Sequence, residues 1–143
     1  MWLRLGAHGS VAVLDSQQAY YRLHRENMSV QYRGIRHLLE IRAAFDTLFA
    51  EYGHRLRDCE RLKELARRHL ADRFFWQGHH WFDQGNLAGC DECLVLVRKT
   101  CPSFCYRPEW FRLKCKRLMG HGLWSRLRPF VRHPLLRNLR RAV

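Results

Sequence analysis

Four cysteines lie close enough together to suggest chemistry: Cys90-x-x-Cys93, then Cys101-x-x-x-Cys105. Four thiolates can close a tetrahedral zinc site. The seven residues between the pairs are fewer than the spacers of common zinc ribbons, however. Cys90 also falls where two helices would cross, and a buried cysteine packs there as a small hydrophobe. Packing is the preferred reading, and no metal or other cofactor is expected in this chain. His79 and His80 add no ligand pair, because adjacent side chains point to different faces of a helix. Ser10, Ser16, Ser29, Ser103 and Ser125 stand in no Gly-x-Ser-x-Gly context, and no glycine-rich phosphate loop occurs. No catalytic residue is assigned.

The elements that must hold these residues are mainly helical. Val11, Val13 and Leu14, then Ala19 to His24, read as two strands around a polar turn at Asp15 to Gln18, a short N-terminal β-hairpin. About five helices follow. Ser29 can cap the first, whose apolar positions Ile35, Leu38, Leu39, Phe45, Leu48, Phe49 and Tyr52 have helical spacing and end at Gly53. The second runs from about Leu56, with Cys59, Leu62, Leu65, Ala66, Leu70 and Phe74 on one face, to a stop near Gly85. Asn86 can cap the third, carrying Leu87, Cys90, Leu94 and Val97, and Pro102 forbids its continuation. From Pro108 the pattern is again helical, with breaks expected at Gly120, Gly122, Pro129 and Pro134.

Residues 71–104 place Phe74, Gly78, Trp81, Gly85, Cys90, Leu94, Val97 and Pro102 at spacings similar to one tetratricopeptide unit, two antiparallel helices with a small residue at their crossing. A single hairpin cannot bury its own apolar face, so docking on neighbouring helices is favoured over peptide binding.

A more specific resemblance lies at the start. Met1-Trp2-Leu3-Arg4-Leu5-Gly6-Ala7-His8-Gly9, Val11-Ala12-Val13-Leu14, Tyr20-Tyr21-Arg22-Leu23-His24 and Asn27-Met28-Ser29 together resemble the end of the GT-A catalytic domain in bacterial family-2 glycosyltransferases. The resemblance implies three segments: residues 1–29 as the remnant of that domain, 30–106 as a helical extension, and 107–143 as a basic amphipathic tail. It implies a parent that transfers a sugar from a nucleotide-sugar donor to a glycan or lipid-linked acceptor with a divalent Mg or Mn ion. By the same resemblance Tyr21, Arg22 and His24 belong near the donor diphosphate, His24 as a possible metal ligand and Arg22 as a bidentate phosphate partner. Simple strand alternation, with Arg22 and His24 on a solvated side, remains open beside that assignment. The family's Asp-x-Asp and its Glu-Asp pair do not occur in these residues. The expected partner is therefore an N-terminal catalytic part, and the isolated chain is expected to be inactive.

Charge sets the remaining expectations. Lys and Arg number 26 against 13 Asp and Glu, a net +13, and apolar residues make up 47%. Residues 107–143 alone hold eleven basic residues and one acid, Glu109. There Trp110, Lys114, Lys116, Arg117, Trp124, Arg126 and Arg128 make a cationic, aromatic surface suited to an anionic membrane face. The alternative function is accordingly a small basic helical adaptor. A plain solvated face ranks second, and nucleic acid third, for want of any reader motif. No run approaches the ~20 apolar residues of a membrane-spanning helix, and no secretory signal is present. The expected location is cytoplasmic, peripheral at the inner face of the cytoplasmic membrane, with all six cysteines reduced.

Overall fold

A computed structural model describes residues 2–9, 12, 14–20 and 34–131. Six α-helices occur among them: α1 (Trp2–His8), α2 (Ile35–Tyr52), α3 (Cys59–Asp83), α4 (Leu87–Thr100), α5 (Pro108–Met119) and α6 (His121–Val131). Short 3-10 turns at Gly53–Arg55 and Pro102–Tyr106 complete the regular structure. The chain divides into two compact units, Met1–Leu70 and Ala71–Val143.

The mainly helical class holds, but the N-terminal hairpin is not shown. Ala12 and residues 14–20 carry no regular structure, no strand occurs among the described residues, and Val11, Val13 and residues 21–24 lie outside them. A two-stranded hairpin is marginal in water without a third strand or a helix to cover one face. In the described part of this segment, Leu14 is 69% exposed and Tyr20 93%, so neither finds such a cover.

In the first unit α1 packs beside α2. Arg4 Nη2 meets Glu51 Oε2 at 3.2 Å, and the His8 ring stands edge-on to Tyr52 with centroids 5.3 Å apart. Ile35, Leu38 and Leu48 are the buried positions of α2, a helical repeat. The described helix begins behind Gly34, at φ 103°, while Ser29 lies outside the described residues. Gly53 does end α2, though at φ −54° rather than left-handed, so the chain tightens into a 3-10 turn. A Cβ there would stand 3.1 Å from Cys59 Sγ. The start of α3 is held by local pairs, Lys63 to Glu60 and Arg68 to Glu64, while Leu62 and Leu65 stay partly exposed.

The second unit carries the larger core. Ala71, Phe74, Phe75 and Phe82 of α3 and Cys90, Cys93, Leu94 and Val97 of α4 are buried, members of each set falling at helical spacings of i+3, i+4 or i+7. Gly85, at φ +81°, turns the chain between the helices. Asn86 caps α4, its Oδ1 accepting from the Gly89 N–H at 2.9 Å. Where the helices cross, a Cβ on Gly78 would lie 2.8 Å from Cys93 Cβ, and one on Gly89 would overlap the Trp81 ring. Gly78 faces Cys93 while Trp81 faces Gly89, so positions advance on one helix as they recede on the other: the pair is antiparallel. Cys101, extended at ψ 89°, ends α4 before Pro102.

Phe104 closes the next side of this core, 5.2 Å from Phe75, and Arg107 lies over Phe104 while its Nη1 binds Asp72 Oδ1 at 2.7 Å. Pro108 opens α5 and Lys116 and Arg117 close it, as the helix dipole favours. Gly120, at φ +80°, separates α5 from α6. Gly122 and Pro129 do not break the chain as expected; both lie inside α6. Pro129 lacks the N–H that a helix interior uses, and the helix nevertheless runs to Val131.

Candidate functional site

The cysteine group is the sharpest chemical candidate in the sequence, and the fold gives its members different surroundings. Cys90 and Cys93 are fully buried in the helix crossing, Cys101 is buried at the end of α4 with its Sγ 3.2 Å from Ser103 Oγ, and Cys105 is partly exposed. Burial pushes the Cys93 thiol up to about 12, aided by neighbouring Cys90 and Glu92. Burial also raises Cys90, against the opposing pull of the Arg117 guanidinium hydrogen-bonded to its sulfur. Both are therefore held as thiols at neutral pH in the metal-free chain. Among the described residues no three His, Cys, Asp or Glu side chains converge as a metal site would require. No metal-dependent step is built on them.

Tyr21, Arg22 and His24, the positions assigned to the donor diphosphate by resemblance, lie outside the described residues.

The seven positions of the basic tail are sorted by the fold into different tasks. Trp110 is only 4% exposed, a core residue of the second unit flanked by the Arg98 guanidinium at 5.4 Å and the Lys114 ammonium at 5.6 Å. Arg117 turns inward: its Nη1 donates to the Leu87 carbonyl at 3.1 Å and pairs with Asp91 Oδ1 at 2.6 Å. It thereby ties α5 to the first turn of α4. Lys116 donates to His79 Nε2 at 2.7 Å and lies 4.6 Å over the Trp124 ring. His79 in turn stands 3.7 Å from Asp83 Oδ2, and His121 Nε2 lies 3.4 Å from the Asp83 carbonyl. These contacts link α3, α5 and α6. Trp124 is partly buried, with its indole N–H unsatisfied, and Arg126 is exposed. The Arg128 side chain lies outside the described residues.

Helix periodicity alone could not predict this sorting, since it shows that α5 has apolar positions but not which of them face inward. Phe111 and Leu118 are 56% and 88% exposed. On α6, Leu123 is 51% exposed and Leu127 also lies open. Arg112, not singled out in the sequence, is also exposed. The partners that fix the inward side, Asp72, His79, Asp83 and Asp91, sit 26 to 38 positions away in the chain. No motif signals them; only the folded pairing does.

Comparison with protein-family models, with curated proteins and with solved structures found no match for this chain. No described helix is long and apolar enough to cross a membrane. What the described residues offer is a helical unit whose Cys90 and Cys93 thiols are buried and whose last two helices leave apolar and basic side chains facing water.

Proposed function

We propose that this chain is the C-terminal part of a family-2 glycosyltransferase of GT-A type, whose parent transfers a sugar from a nucleotide donor to a glycan or lipid-linked acceptor in the cytoplasm. The reading rests on the ordered resemblance in residues 1–29, from Trp2-Leu3-Arg4-Leu5 through Tyr21-Arg22-Leu23-His24 to Asn27-Met28-Ser29. Helix α1 covers the Trp-Leu-Arg segment, the form such a segment takes in this proposal. In the parent, Arg22 would pair with a diphosphate oxygen, and His24 would stand near the metal that neutralises the departing diphosphate. The proton of the acceptor hydroxyl requires a carboxylate base that the 143 residues lack at the matching place: the acids before residue 30 are Asp15 and Glu26, at no ligand-pair spacing.

The second proposal, a basic helical adaptor, is favoured by one observation: residues 71–131 build an interior of their own from Phe74, Phe82, Val97 and Leu113.

Incubation of the full 143-residue chain with a panel of nucleoside-diphosphate sugars and glycan acceptors tests the first proposal. The glycosyltransferase proposal expects nucleoside diphosphate release no faster than the protein-free blank. Turnover with any donor would show that the chain carries a complete active site and overturn the assignment as a part.

A further inference from the structure

Helix α5 is apolar on both sides, and the core uses one. Trp110 and Leu113 face inward with Arg117. Phe111, Cys115 and Leu118 recur at i, i+4 and i+7 on the other side, all exposed, with Met119 beside them at 40% exposure. On α6 Leu123 and Leu127 repeat the i, i+4 pattern, again exposed. Single exposed hydrophobics are ordinary, but a run of them along two consecutive helices marks a surface that meets something.

Its charge says what. Arg112 and Arg126 are exposed on the same two helices, and Glu109 is the single acid from residue 107 to the end of the sequence, against eleven Lys and Arg. Lys114, Lys116 and Arg117 are already engaged within the unit, so they do not add to the outward set. We infer that the exposed sides of α5 and α6 dock on an anionic lipid surface, Phe111, Leu118, Leu123 and Leu127 entering the boundary between headgroups and acyl chains while Arg112 and Arg126 meet lipid phosphates. A lipid boundary takes flexible aliphatic side chains without demanding a complementary shape, and a uniformly anionic surface matches a face of one sign. A single-stranded nucleic acid would instead be met by exposed stacking rings. Here Trp110 is in the core, and three of the four inserting residues are leucines. The inference is independent of the glycosyltransferase proposal, since it rests on residues 108–131.

Flotation of the full chain with vesicles tests it, using phosphatidylcholine alone and phosphatidylcholine mixed in equal parts with phosphatidylglycerol. The wild-type chain is expected to float with the anionic vesicles only. Leu118→Glu combined with Leu123→Glu should lower that partition by about tenfold or more, since two apolar anchors are lost and two like charges are brought to the lipid. Arg112→Glu combined with Arg126→Glu should lower it by a comparable factor, at roughly fivefold for each basic residue removed. All four positions are exposed, so both variants should keep the wild-type helical circular dichroism. Failure of the wild type to float overturns the inference, as does flotation unchanged by the leucine pair. A wild-type dimer that Leu118→Glu converts to monomer overturns it too, by assigning the face to a second copy. Tighter binding to single-stranded DNA than to anionic vesicles would assign it to nucleic acid.

Discussion

Gly78→Val is expected to abolish the cooperative thermal melt of the second unit, and Gly78→Ala to lower its stability by about 1–3 kcal/mol. Gly78 lies in the interior of α3, where glycine is unfavourable by about 1 kcal/mol relative to alanine, so local propensity argues for substitution. Packing argues the other way and is larger. A methyl group at this position would stand 2.8 Å from Cys93 Cβ and 3.4 Å from the Cys90 carbonyl oxygen. Both obstacles are bound closely to the α4 backbone, so no side-chain rotation relieves them and the helices must part. Parting opens the buried layer of Phe74, Phe82 and Val97 to water. Gly122→Ala in α6 is the control, because nothing lies within 4 Å of the added Cβ and the propensity gain stands alone. Thermal melts by far-ultraviolet circular dichroism should show Gly78→Ala below the wild type and Gly122→Ala at or above it. Gly78→Ala melting above the wild type would show that this crossing does not set the helix separation.

Phe82→Ala should cost about 3–5 kcal/mol, against about 0.5 kcal/mol or less for Trp76→Ala on the same helix. Both are large aromatic residues, and hydrophobicity alone would rank tryptophan first. Phe82 is fully buried near the end of α3, with the His121 ring standing edge-on to it at 6.0 Å between centroids. Its removal leaves a void between α3 and α6 that rigid helices cannot collapse to fill. Trp76 is 58% exposed and its ring leans on Phe75 and His79 at the surface. Urea unfolding should show the midpoint falling steeply for Phe82→Ala with the slope unchanged. Equal midpoint shifts for the two variants would contradict the placement of α6 against α3.

The parts of this fold legible in the sequence are those fixed by nearby residues. Asn86, Gly85 and Pro102 bracket α4 through a cap, a left-handed turn and a missing donor, and each acts within a few positions of itself. Gly78 could be recognised as a crossing residue because its spacing to Trp81 and Cys90 is set by helix geometry. The N-terminal hairpin was read from alternation over a few residues, a pattern that requires a covering partner which Ala12, Leu14 and Tyr20 do not show. Leu62 and Leu65 have helical spacing yet stay partly exposed, since periodicity reports a capacity for burial and not its use. The same ambiguity governed the tail. Trp110 and Phe111 are adjacent, aromatic and equal in any sequence window, but one enters the core and the other faces water. Arg117 and Arg112 divide likewise, and the division depends on Asp91 and Leu87, far earlier in the chain.

The most direct measurement of the central claim is the nucleotide sequence of the gene upstream of the Met1 codon. A GT-A enzyme needs an Asp-x-Asp pair to hold the divalent ion that neutralises the diphosphate, and a later acid to take the acceptor proton in inverting members. If Trp2-Leu3-Arg4-Leu5 follows that later acid, the reading frame should continue upstream without a stop, encoding Glu-Asp shortly before Met1 and Asp-x-Asp farther back. An in-frame stop immediately upstream of Met1 would contradict the glycosyltransferase assignment and leave the helical adaptor in its place.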